Sequence, residues 1–153
     1  MDLLTQIRDD LVSGDILLSV VLRKARVLAE SLNDEDFTKW VKFEINGYPP
    51  ESAEIPEYRV LNVPSIGHLI GNFGKELKNV NLPSINLPKA VQEFMEKTIL
   101  FEGVAGLEGL ISLESNLIVI KWPANIVVLC QDKFYVGMNL IDANKQIGRS
   151  MIV

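Results

Sequence analysis

His68 is the one side chain here whose ordinary titration falls near neutral pH, so it is the first candidate for general acid–base work. It lies between Gly67 and Leu69 in a segment that reads as a strand, where a half-exposed structural histidine is the plain alternative. A single histidine excludes an HExxH zinc site and any multi-histidine ligand set. No serine or cysteine in a recognisable nucleophile motif accompanies it. Cys130, the only cysteine, follows Ile126-Val127-Val128-Leu129 and reads as a buried, inert thiol; no internal disulfide can form. Asp34, Glu35 and Asp36 gather three carboxylates at a helix start, but adjacent residues point in different directions, so they read as capping acids rather than metal ligands. Glu114 and Lys121 flank an apolar run without the acid, Glu-x-Lys spacing of a restriction-type nuclease core. The chain has no GxxxxGK[ST] or GxSxG run, and Gly67, Gly71 and Gly74 do not match GxGxxG. No cofactor is implied.

Two sets of polar residues carry more weight. Helical spacing sets Glu44 beside Trp40 and Val41, near an apolar face. A carboxylate there must find a partner or have its pKa raised. A structural contact and a ligand contact both stay open. Arg23, Arg26 and Glu30 lie along the outer face of a second helix, with Lys24 to one side. That face is either solvated and laced with local ion pairs, or a docking face for an acidic partner, another copy included.

The elements that must position these groups follow from periodicity. Leu3, Leu4, Ile7 and Leu11 mark one helix, broken at Gly14. Leu18, Val21, Leu22, Ala25, Leu28, Ala29 and Leu32 mark a second, with Asp15 placed to cap it. Asn33 is placed to cap a third, whose inner face is Phe37, Trp40, Val41 and Ile45 and whose stop is Gly47. Pro49, Pro50 and Pro56 make the next stretch a loop. Strands are expected over 58–63 and 65–73, an irregular stretch over 79–88, and a helix from Ala90 towards Gly103. A weaker helix over 104–113 follows, then a buried strand over 116–122. A short helix opened by Pro123 and a strand pair or one bent strand over 134–147 complete the chain. This order is α+β: an N-terminal segment of about three helices packed on a small mixed or antiparallel sheet with further helices.

Composition sets the outer limits. With 153 residues, 48% hydrophobic and 23% charged, the chain suits a single soluble domain. The longest mostly apolar stretch, 16–32, holds Arg23, Lys24, Arg26 and Glu30, so no membrane span is expected, and the N-terminus lacks the features of a secretory signal. Residues 1–58 carry 12 acids and 6 bases, and residues 59–153 carry 8 acids and 9 bases. Without a dense basic patch, nucleic-acid binding by phosphate neutralisation has little support.

Several blocks of residues resemble the AbiTii domain family. The most specific is Trp40-Val41-x-x-Glu44-x-Asn46-Gly47-Tyr48-Pro49, continued by Pro56-x-Tyr58-Arg59-Val60. Leu22-Arg23-Lys24 and Val27-Leu28-Ala29 precede it, while Leu87-Pro88, Gly103-Val104-Ala105-x-Leu107-Glu108 and Pro123-Ala124 follow more loosely. The resemblance implies a cytoplasmic role in bacterial abortive-infection (anti-phage) defence and brings no established active site. The family commonly continues into another helix, so the stop at Val153 favours a piece of a longer protein. The first expectation is a non-catalytic module that assembles or senses, its partner a second copy or another defence protein. A toxin-like enzyme acting on RNA or a nucleotide, with His68 or Glu44 in the chemistry, is the second. A small-ligand sensor using Asn46, Tyr48 and the glycine-rich strand region is the third. The candidate interaction residues are thus Arg23, Arg26, Glu44, Asn46, Tyr48, Arg59 and His68.

Overall fold

A computed structural model describes residues 1–52, 54–113 and 115–152. Glu114, weighed above as a nuclease acid, and Val153, the apolar end, lie outside the described residues. Among the described residues the chain forms six α-helices and two small antiparallel sheets, so the fold is α+β. Packing divides it into two compact units, residues 1–55 with 101–113, and 56–100 with 114–153.

The first unit is helical. Its elements are α1 (Leu3–Ser13), α2 (Leu18–Ser31), α3 (Glu35–Asn46) and α5 (Val104–Ile111). Ile7, Val21, Ala25 and Val41 form its centre, with Leu3, Leu28, Phe37 and Ile45 packed around them. The apolar stripes at helical spacing are what bring α1, α2 and α3 together. Lys24 Nζ of α2 reaches Asp10 Oδ2 of α1 at 2.6 Å.

Two helix starts differ from expectation. Asp15 does not cap α2; the position before the helix is Leu17, and the Ser19 amide instead donates to Glu108 Oε1 of α5 at 2.9 Å. A carboxylate from another helix thus satisfies a donor that the local sequence leaves bare. Asn33 does not cap α3 either. It takes a left-handed φ of 53°, and Asp34 caps instead, accepting from the Phe37 amide at 2.9 Å.

The second unit holds both sheets. Strands β1 (Val60–Asn62) and β4 (Lys97–Ile99) pair antiparallel. The larger sheet has the order β3-β2-β6-β5, with β2 (Ser65–Gly71), β3 (Glu76–Asn81), β5 (Leu117–Lys121) and β6 (Met138–Gly148). Helices α4 (Lys89–Glu96) and α6 (Ala124–Leu129) complete the unit. Leu69, Leu82, Met95, Trp122, Val127, Cys130, Met138, Leu140 and Ala143 form its core. The strand expected over 58–63 opens as a 3-10 turn, Glu57–Arg59, before β1. The helix expected to run towards Gly103 stops at Glu96, where the chain becomes β4. The run over 116–122 is an edge strand rather than a buried one: among the described residues β5 pairs with β6 alone, and Leu117, Val119 and Ile120 are exposed. Residues 138–148 form one long strand, and Gly137 precedes it at a φ of 75°.

Candidate functional site

Glu44 sits on the inner face of α3 and is 5% exposed. The Tyr48 hydroxyl donates to its Oε1 at 2.7 Å. The Tyr48 ring lies on Phe43, with centroids 5.1 Å apart. Gly47 makes this return possible. Its φ of 94° belongs to glycine, and a Cβ there would stand 2.5 Å from the Phe101 carbonyl oxygen. That oxygen accepts the Tyr48 amide at 2.7 Å. A Cβ on Gly103 would collide with the Ile45 carbonyl oxygen, so the 101–103 segment lies directly on the end of α3. The Asn46-Gly47-Tyr48 sequence and Gly103 therefore serve one close backbone approach, and Glu44 and Tyr48 form a buried polar pair within it.

Trp40, expected on the inner face, is exposed and stacks on Phe37 with centroids 6.2 Å apart. Three residues after Phe37, it falls at the margin of the apolar stripe rather than on it. With Phe43, Tyr48, Asp36, Lys39 and Glu54 it lines an open hollow of about 200 Å³, across which Lys39 Nζ meets Glu54 Oε1 at 2.9 Å. A wider hollow of about 460 Å³ lies at the start of α3, bordered by Glu30, Asp34, Glu35, Lys39 and Lys42. Among the described residues no group of three or more His, Cys, Asp or Glu is placed to hold a metal, and Asp34 acts as the cap of α3.

The remaining candidates lie on several different elements. Arg23 and Arg26 are exposed on α2, and Arg26 Nε pairs with Glu30 Oε1 at 3.1 Å. Asn46 is exposed at the end of α3. Arg59 and His68 belong to the second unit. Arg59 is 2% exposed, and one of its guanidinium nitrogens donates to the Leu100 carbonyl at 3.1 Å. His68 is half-buried on β2, beside a register irregularity, and its Nε2 meets Glu76 Oε1 of β3. That contact holds the Glu76 carboxyl below its ordinary range, with Lys78 adding to the effect. Across β6, Asp142 stands opposite His68. Of the seven candidates, the structure joins Glu44 and Tyr48 directly.

The AbiTii family model matches residues 2–153. The chain belongs to the AbiTii family. The match runs through the buried Glu44–Tyr48 pair, both close-approach glycines and the whole sheet unit. The family name refers to abortive infection, a form of anti-phage defence. No significant match appears among curated proteins or among solved structures.

Several structural groups of this AbiTii chain were not singled out by sequence reasoning. Lys145 on β6 is buried, donates from Nζ to the Lys97 carbonyl at 2.9 Å and lies 4.0 Å from the centre of the Phe94 ring. Burial lowers its ammonium pKa. Trp122 Nε1 donates to Ser65 Oγ at 3.3 Å, and Ser65 Oγ donates to the Met95 carbonyl at 2.7 Å. The alternation of β6 was the available signal for Lys145, since it sets that residue on the same face as Ala143 and Ile147. Burial also pushes the Cys130 thiol up, as expected of an unreactive cysteine. No helix among the described residues is long and apolar enough to cross a membrane.

Proposed function

We propose that this AbiTii chain is a non-catalytic module of a bacterial abortive-infection system, acting through protein–protein assembly or sensing. Both compact units are read as parts of one domain, because the family match runs through both. The observation that carries the reading is the placement of the signature's ionisable groups. Glu44 and Arg59 are buried and bonded inside the fold, so they serve architecture rather than a substrate. What the chain offers outwardly is exposed apolar and charged surface, the material of recognition. It acts in the cytoplasm, on a second copy or another defence protein. Phage plating on cells carrying the native locus, with and without this coding region, is the test. Deletion is expected to restore plaques, and unchanged plating across a broad phage panel would refute the role.

A toxin-like enzyme is favoured by one feature, the His68–Glu76 contact, since a carboxylate that orients an imidazole is a general-base device. On the proposed reading His68→Ala leaves protection intact. Loss of cell killing with an unchanged melting temperature would select the enzyme instead.

A further inference from the structure

The larger sheet ends in two edges that are built differently. On β3, Glu76 and Lys78 approach each other at 3.6 Å, Asn79 takes a φ of 52°, and the register with β2 is interrupted between Gly67 and Leu69. Charges and an irregularity are the usual means of keeping an edge from pairing with another chain. Strand β5 has neither across its centre. It pairs with β6 in unbroken register from Leu117 to Lys121, and Leu117, Val119 and Ile120 are 49%, 51% and 40% exposed.

The backbone of β5 is prepared in the same sense. Asn116 accepts from the Arg149 amide, and the Trp122 amide donates to Ala143. Antiparallel alternation then turns the polar groups of residues 118 and 120 towards β6, and those of 117, 119 and 121 outward. Ser115 Oγ occupies the outward pair of Leu117, accepting from its amide at 3.2 Å and donating to its carbonyl at 2.8 Å. Among the described residues nothing bonds to the outward groups of Val119 or Lys121.

We infer that β5 is a pairing edge whose occupant is β5 of a second copy, running antiparallel about a two-fold axis at Val119. This names the partner of the assembly role proposed above and rests on it. The choice of a second copy follows from self-complementarity. With the axis at Val119, its outward groups stand opposite those of its own counterpart, and the pair exchanges both hydrogen bonds. Lys121 then faces Leu117 of the other copy, whose groups become available as Ser115 yields. Leu117 and Val119 cover one another on one face, while Ile118 meets Ile120 on the other. The one charged residue of the strand, Lys121, falls at opposite ends of the ribbon. The two copies of it are separated by four residues, roughly 13 Å of strand, more than the Debye length of about 8 Å at physiological salt. No like charges therefore oppose each other. The ribbon is small, so reversible association in the micromolar range is expected.

Sedimentation velocity of the full chain from about 1 to 500 µM reads the association. The wild-type chain is expected to shift from monomer to dimer. Val119→Lys places two ammonium groups directly opposite each other and is expected to weaken the dimer at least about ten-fold. Because Val119 is half exposed and its backbone bonds point away from β6, the melting temperature should be preserved. Val119→Cys, mildly oxidised, is expected to give a covalent dimer, while Ile85→Cys, also exposed but far from the strand in sequence, is not. A wild-type chain that is monomeric throughout overturns the inference, as does a dimer indifferent to V119K. A monomer that instead captures an unrelated extended peptide also overturns it. A monomeric chain that still protects cells removes the edge and leaves the defence role standing. A dimer whose deletion leaves plating unchanged removes the defence role and leaves the edge.

Discussion

Replacing Tyr48 with Phe would isolate what the buried Glu44 carboxyl gains from the hydroxyl 2.7 Å away. The ring and its stacking on Phe43 stay, while a buried acceptor loses a donor. Tyr48→Phe is expected to cost about 1–3 kcal/mol, read as a lower urea midpoint at unchanged slope. Protection against phage should fall only as far as folded protein is lost. Lys145 permits a test of pH dependence. Its folded-state pKa lies below the unfolded value, so the unfolded chain holds that proton more tightly. The penalty is fully present below the folded pKa and disappears as pH climbs towards the unfolded value, so stability gains over that window. Lys145→Met removes this gain. Wild type should therefore become more stable relative to the variant between neutral pH and about pH 10.5, as measured by denaturant titration at both. A difference that does not change with pH would refute the burial argument.

At the level of elements, what the sequence disclosed was periodicity, and what it concealed was tertiary supply. The stripes of α1, α2 and α3 were legible because their own 3.6-residue repeat produces them. Their caps were less so. Asp15 and Asn33 have suitable side chains at suitable places, yet α2 takes its acceptor from Glu108, 89 residues away, and α3 takes Asp34. Asp34→Ala is expected to cost about 1 kcal/mol, and Asp15→Ala less than about 0.5 kcal/mol, by thermal or chemical melting. Equal effects would restore the local reading. In α4 the helical repeat continues through Thr98, but pairing of 97–99 with β1 overrides it. For β5, apolar content predicts a strand but not which neighbour covers it, so its edge position is set by the sheet order and not by its own residues. The candidate site shows the same division. Glu44 was legible as a carboxylate in need of a partner, whereas the burial of Arg59 depends on contacts that no spacing reveals.

Across the whole molecule, the chain weaves between its two units. The helical unit needs residues 101–113 as well as 1–55, and the sheet unit takes both flanks of that segment. The charge divides along the same line. The residues of the helical unit include 13 acids and 6 bases, those of the sheet unit 7 acids and 9 bases. An excess of acids that large opposes compaction by self-repulsion, so the helical unit depends on its packing partners. Segment 101–113 provides the Glu108 acceptor for α2, the Phe101 carbonyl for Tyr48 and the close contact of Gly103 with α3. A piece of 55 residues is already marginal for independent folding. Residues 1–55 alone are therefore expected to lack a cooperative thermal transition by circular dichroism. Joining 101–113 to them through a flexible linker should restore cooperativity, and Glu108→Ala in that joined chain should lower its midpoint. If 1–55 melts cooperatively unaided, the remote cap and the glycine contact are dispensable, and the helical unit is held by the stripes of its first three helices alone.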